Sequence, residues 1–308
     1  MKGKLIISAI ALVSVLTSCE KPMPDASGAP PFTPLEKPAA GRGFQIHIPV
    51  YSIAPNYERE TWVRKDLGNK EEVYMDGFDM IARPGTHHTI AYNFTDKSNL
   101  PPADIMYDQN SPNNTLNIRA FSDGVQLFQS PSASYNFRLP KGFAIRIAPN
   151  ESFNMNMHNF NKTSEIRYGE LYMNFNTVPK DSVKQILDVE YLAPLEIVLP
   201  PNQTTVMKTD FIMDKKTIIP LMLSHYHKRG KDFEVRFKGG PRDGQVCYSS
   251  QDYENPLVST FNNTPIVLEK GEGLTSIVKY VNESNRTINF GITSEDEMNF
   301  LIIFKYNP

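Results

Sequence analysis

An all-β fold built from antiparallel sandwiches is what this sequence predicts, and three observations carry the expectation. From residue 44 onward apolar and polar residues alternate with period two. The runs are Phe44-Gln45-Ile46-His47-Ile48, Phe143-Ala144-Ile145-Arg146-Ile147, Phe153-Asn154-Met155-Asn156-Met157-His158 and Leu171-Tyr172-Met173-Asn174-Phe175. Later come Phe233-Glu234-Val235-Arg236-Phe237, Ile277-Val278-Lys279-Tyr280-Val281 and Phe300 to Phe304. Side chains on a strand point alternately to its two faces, so such runs read as half-buried strands. Turn formers separate them, among them Pro84-Gly85, Pro140-Lys141-Gly142, Gly239-Gly240-Pro241, Asp243-Gly244 and Gly271-Glu272-Gly273. Third, 24 Pro and 17 Gly leave little room for long helices. Only Lys180 to Leu187 carries a short helical pattern.

Two segments with other purposes precede the strands. Met1-Lys2-Gly3-Lys4 and the apolar run Leu5 to Leu16 make residues 1–18 a secretory signal, too short to span a bilayer as a stable helix. Leu16-Thr17-Ser18-Cys19 resembles the bacterial lipoprotein box. That resemblance implies cleavage before Cys19, lipid on its thiol, and a membrane anchor in the bacterial cell envelope, at the outer membrane. Pro22, Pro24, Pro30, Pro31, Pro34 and Pro38 make residues 19–43 an extended spacer. The remainder is expected to divide near Pro179–Asp188 into residues 44–183 and 184–308, each long enough for one sandwich.

Composition excludes several classes. A formal net charge of -2 with 21% charged residues is neither a basic nucleic-acid binder nor an acidic disordered tail. At 40% hydrophobic and 11% aromatic residues the chain can bury a core. Two Cys, one of them Cys19, rule out a disulfide scaffold and leave Cys247 as the remaining thiol.

Chemistry concentrates in the six histidines, His47, His87, His88, His158, His225 and His227. Imidazole is the commonest transition-metal ligand, so their clustering points to a metal. His225-Tyr226-His227 puts two imidazoles on one face of a strand, aimed at a common point. His87-His88 can share a metal only at a bulge or strand end, and Pro84-Gly85 supplies an irregularity just before them. His158 falls on the polar face of its strand with Asn154 and Asn156. Each feature also has an ordinary reading: a solvated strand, one His buried and one exposed, a hydrogen-bonded polar His. Met298 by itself reads as a core residue. Spacing alone yields a metal and no reaction.

Taken in order, the motifs resemble the copper type II ascorbate-dependent monooxygenases, the family of peptidylglycine alpha-hydroxylating monooxygenase and dopamine beta-monooxygenase. The matching stretches are His87-His88-Thr89-Ile90-Ala91-Tyr92, Met155-Asn156-Met157-His158-Asn159, His225-Tyr226-His227-Lys228-Arg229-Gly230-Lys231 and Gly291-Ile292-Thr293-Ser294-Glu295-Asp296-Glu297-Met298. Leu139-Pro140-Lys141-Gly142-Phe143 and Ser250-Gln251-Asp252 are similar as well, and the likeness spans roughly residues 44–308. It implies two jelly-roll-like sandwiches with one copper in each. His87, His88 and His158 would hold an electron-storing copper; His225, His227 and Met298 would hold the copper that meets O2. The implied reaction inserts one oxygen atom of O2 into an activated C–H bond with ascorbate or an equivalent reductant. In peptidylglycine enzymes an Arg, an Asn and a Tyr bind the substrate carboxylate. Here those positions are Leu223, Phe300 and Ile302, which argues against peptide amidation and predicts a more apolar pocket. The competing expectation is a non-catalytic envelope lipoprotein that captures copper or a glycan; an envelope protein with incidental histidines is the third.

Overall fold

The computed structural model describes residues 25–308 apart from 110, 131, 195, 255, 262, 263 and 292–294. The expected secretory signal and Cys19 lie outside the described residues. The first half runs β1 (Gly43–Ile53), β2 (Tyr57–Asp66), β3 (Val73–Ala82), β4 (Thr86–Phe94), β5 (Met106–Asp108), helix α1 (Leu116–Ser122) and β6 (Gly124–Ser130). It continues with β7 (Ser134–Arg138), β8 (Phe143–Ile147), β9 (Ser152–Asn161), β10 (Arg167–Val178) and β11 (Gln185–Ile186). One sheet has the order β1-β10-β3-β8-β11, with β7 also beside β3; the other is β5-β2-β9-β4-β6. The alternation of β9 sorts its side chains: Phe153, Met155 and Met157 enter the core with Phe78 and Met80 of β3 and Met173 and Phe175 of β10.

The second half contains β12 (Asp188–Leu192), β13 (Val198–Leu199), β14 (Gln203–Ile212), β15 (Thr217–Tyr226), β16 (Gly230–Lys238) and β17 (Val246–Ser250). It ends with β18 (Ser259–Thr260), β19 (Ile266–Leu268), β20 (Gly273–Asn282), β21 (Ile288–Asn289) and β22 (Asn299–Tyr306). Its sheets are β12-β22-β15-β18, with β19 also on β15, and β14-β20-β16-β17; β13 and β21 pair separately. The chain is therefore all-β and sandwich-like, as its period-two pattern predicts.

Strands β15 and β22 are apolar on both faces, and the two faces serve different cores. Ile219 and Met222 of β15 and Leu301 and Ile303 of β22 belong to the core of the second half. Leu221, Ile302 and Phe304 belong to the core of the first half, where Phe304 meets Phe137 with ring centroids 5.8 Å apart. Burying one such side chain contributes about 1.5–3 kcal/mol, so the two halves are joined by a shared apolar layer. This fixes the site. Leu221, Leu223 and His225 share one parity on β15, and Phe300, Ile302 and Phe304 share one on β22. His225 and Phe300 are therefore turned toward the first half.

Three expectations need correction or refinement. Lys180 to Leu187 is not a helix: a 3-10 turn at Lys180–Ser182 leads into β11. The helix present, α1, was not anticipated. Asn114 accepts the backbone N–H of Leu116 at 3.0 Å and caps the turn, while Leu116 and Ala120, four residues apart, are buried together. The crossing between halves lies slightly beyond residue 183: β11 pairs in parallel with β8, Leu187 packs in the first core, and β12 pairs with β22. The described part of the spacer is extended but docked. Asn174 donates to Glu36 O at 2.7 Å and Gln45 to Leu35 O at 3.0 Å. Arg83 donates to Pro30 O at 2.8 Å with its guanidinium over the Phe32 ring.

Candidate metal centre

Strand β4 begins after Gly85, whose φ of +96° favours glycine. Thr86 is paired with Asn159 of β9 and His88 with His158, so two steps on β4 match one on β9 and His87 is the extra residue. This is the bulge that adjacent histidines need if both are to face one point. The His88 and His158 ring centroids are 4.8 Å apart, His87 and His88 5.2 Å, and His87 and His158 5.6 Å. One ligating nitrogen from each lies within 4.8 Å of the others.

The polar face of β9 is not a solvent face. Asn154, Asn156 and His158 are all buried, because α1 and the second half cover that side of the sheet. His158 Nε2 is 2.6 Å from a Glu58 carboxylate oxygen. Its Nδ1 is buried with no hydrogen-bond partner. A buried, unpartnered ring nitrogen is costly unless something fills its lone pair. Here it belongs to a cluster of three imidazoles, and a metal ion is the filling that suits them. The carboxylate on the far nitrogen is the orienting contact that metal-bound histidines usually have.

On the second half, His225 and His227 are buried with ring centroids 5.3 Å apart. Each is oriented through Nδ1. The Gln129 Nε2–H group of β6 donates to His225 Nδ1 at 2.9 Å, so an amide of the first half holds an imidazole of the second and leaves the ring proton on Nε2. His227 Nδ1–H donates to Asp296 O at 3.1 Å, which leaves Nε2 as the ligating atom. Burial and neighbouring imidazoles hold His88 and His225 well below the ordinary imidazole range, and His87 is lowered for the same reasons. Burial brings His227 down to about 4. These four rings are therefore neutral at pH 7 with one lone pair each; that of His225 becomes available to a metal when the Gln129 amide turns to present Oε1 to Nδ1–H.

Met298 precedes β22. The register pairs Tyr226 with Asn299 and His225 with Phe300, so Met298 stands one step farther along, opposite His227. It is buried, yet it packs in none of the three apolar clusters among the described residues. It lines a cavity with His225 and His227 instead. Glu297 fixes this segment: fully buried, it accepts the backbone N–H groups of His227 at 3.0 Å and Arg229 at 2.8 Å. The acidic stretch before Met298 is thus not wholly solvated, as its composition suggests. It reaches inward to tie the His-X-His segment to the Met.

The six expected residues come together, and the two sets are not isolated from one another. His88 and His225 have ring centroids 6.4 Å apart, and all five histidines of the two sets border one cavity of about 470 Å³. On the other side of His88, His225 and His227 lies a second cavity of about 330 Å³, bordered by Met298 and Phe300. Of the three substituted carboxylate-binding positions, Phe300 borders this second cavity, with its ring 6.1 Å from that of His225. Leu223 and Ile302 border a small apolar void of about 20 Å³ instead. His47 is elsewhere, stacked on Tyr172 at 4.2 Å and bonded to Glu170. Sequence reasoning missed Glu58, Gln129 and Glu297. The alternation Glu58-Arg59-Glu60 could have put two carboxylates on one strand face, but nothing in the sequence pairs Glu58 with His158.

No family model matches the chain, and no curated protein matches it. Among solved structures, the PBSX exported protein XepA shares 11% identity over 89% of this chain and 88% of that chain, with a TM-score of 0.23. The Macrobrachium rosenbergii nodavirus structure shares 11% over 96% and 99%, with a TM-score of 0.20. Likeness at this level carries no argument about function.

Proposed function

We propose that this chain is a copper-dependent monooxygenase that hydroxylates a C–H bond of a small molecule, using O2 and a one-electron reductant such as ascorbate. The observation that supports the reading is the convergence of His87, His88, His158, His225, His227 and Met298 at the junction of the two halves, from segments far apart in the chain. Bound copper would supply the one-electron steps and the activation of O2. His87, His88 and His158 would hold one ion, with His158 contributing the Nδ1 atom that has no other partner. His225, His227 and Met298 would hold the second. Imidazole serves copper in both oxidation states, whereas a thioether is soft and favours Cu(I), so the two ligand sets differ in the way that storing an electron and meeting O2 require.

The remaining side chains orient and protect. Glu58, Gln129 and the Asp296 carbonyl fix three ring orientations. The apolar contact between the halves keeps water from the cluster's flank. The cavity beside Met298 gives a substrate access to His225 and His227 without crossing the first set. Lipid at Cys19 and a place in the bacterial cell envelope belong to the same proposal.

The test is O2 uptake by copper-loaded protein with ascorbate and candidate substrates, with ¹⁸O2 to label the product. The reading expects substrate-dependent uptake with one labelled oxygen per product, lost in His225→Ala. Ascorbate oxidation that yields peroxide and no labelled product would favour a copper-binding protein without turnover.

A further inference from the structure

The cavity beside Met298 has its own chemistry, and the following deepens the reading above. Its floor is the outer face of the first half's sheet, where Glu60 and Trp62 stand two residues apart on β2 and Ile90 and Tyr92 two apart on β4. Tyr191 and Phe300 close it from the second half. The lining is mainly apolar and aromatic, and two carboxylates border it, Glu60 and Glu190, the second paired with Lys305. Glu60 is only 5% exposed. Its Oε1 accepts from the Asn156 amide at 3.0 Å; Oε2 takes no hydrogen bond among the described residues and stays accessible where Glu60 lines the cavity. No lysine or arginine among the described residues lines the cavity. A carboxyl oxygen open to a largely apolar cavity, with no protein donor of its own, is an acceptor that a ligand's O–H can use.

We infer that this cavity binds a compact, uncharged, largely apolar molecule carrying one hydroxyl group, whose O–H donates to Glu60 while its hydrocarbon body lies against the aromatic lining. With two carboxyl groups, Glu60 and Glu190, and no lysine or arginine among the described lining residues, the cavity disfavours an anionic ligand. A cationic ligand would share the cavity with the metal that His88, His225 and His227 help to hold, so an uncharged donor fits best. Glu60 is paired across strands with His158, which puts the anchor at the first half's side of the cluster. The opposite end of the ligand then lies toward Phe300 and Met298, where the proposed reaction would take place.

The chain's single tryptophan is Trp62, so its emission reports occupancy without any metal or turnover. Metal-free protein is titrated with p-cresol, toluene and 4-methylanisole. One hydrogen bond to a carboxylate predicts p-cresol binding about tenfold or more tighter than toluene or 4-methylanisole, which cannot donate. Glu60→Gln keeps the size and the bond from Asn156 but turns an N–H toward the cavity. It should fold normally, by circular dichroism and unfolding midpoint, and bring p-cresol and 4-methylanisole to within about threefold of each other. Equal binding of p-cresol and toluene, or an unchanged preference in Glu60→Gln, would overturn the inference. Because copper is absent, these results stand apart from the metal reading. Selective p-cresol binding with no copper bound on loading would sink the monooxygenase and leave a hydroxyl-selective pocket.

Discussion

Replacing Met298 separates a metal ligand from a core side chain, because the two roles predict opposite patterns. A Met packed on all sides of a core costs about 2–5 kcal/mol when truncated to Ala. Met298 is buried, but one side of it borders a cavity of about 330 Å³ and it belongs to no apolar cluster. Truncation therefore removes contacts on fewer sides, and Met298→Ala should cost no more than about 2 kcal/mol, the low end of that range. Met298→Ile nearly conserves volume and should cost less than about 1.5 kcal/mol. Metal affinity should respond far more. Losing an orienting contact behind a ligand typically costs 10–100-fold in affinity, so losing the only soft ligand of three should weaken Cu(I) at least that much. The assays are urea unfolding of the metal-free variants and competition for Cu(I) against a chromogenic chelator. X-ray absorption of the reduced protein should show a sulfur neighbour that is absent in Met298→Ile. An unfolding cost near 4 kcal/mol for Met298→Ala, together with unchanged Cu(I) affinity in Met298→Ile, would return Met298 to the core and refute the assignment.

Glu58→Gln removes the charge that orients His158 through Nε2; copper at His87, His88 and His158 should weaken about 10–100-fold, and isothermal titration with the second site disabled by His225→Ala measures it. Burial pushes the Cys247 thiol up to about 12; in folded protein it should stay unreactive toward Ellman's reagent at pH 8 and react at once in denaturant. Since the folded pKa lies above the unfolded one, the stability owed to that thiol is complete below about pH 8.5 and is lost as pH rises toward 12. A pH titration of the unfolding midpoint, flattened over that window in Cys247→Ala, checks the sign. Cys19→Ser should release the protein from washed membranes; full sedimentation of that variant would contradict lipid anchoring.

The strands were legible because burial on one face imposes period two, and β9 shows it residue by residue. Strand β22 was harder to interpret. Its continuous apolar run signals burial on both sides, but only the fold reveals that Leu301 and Ile303 serve one core while Ile302 and Phe304 serve the other. The parity of His225 with Leu221 and Leu223 was equally visible, and it became informative only once Leu221 was found against the first half. Pro84-Gly85 correctly marked the irregularity that turns His87 and His88 to one side. Helix α1 escaped because seven residues hold barely two turns; its cap, Asn114, and the Leu116–Ala120 pair make a signal too short to stand out. Glu297 escaped for a different reason: a carboxylate in an acidic run is ordinarily solvated, and the two backbone N–H groups that draw it inward belong to a segment about 70 residues earlier. Long-range polar contacts of this kind leave no periodic trace.

The central claim is that six side chains form two metal sites at one junction, and counting copper tests it most directly. Purified protein loaded with Cu(II), desalted and analysed for metal should hold two copper ions per chain. His87→Ala and His225→Ala should each retain one, and the double variant none. Two ions in the parent with one lost in each single variant is the predicted result. One ion or none in the parent, or the loss of all copper in either single variant, would contradict the two-site account.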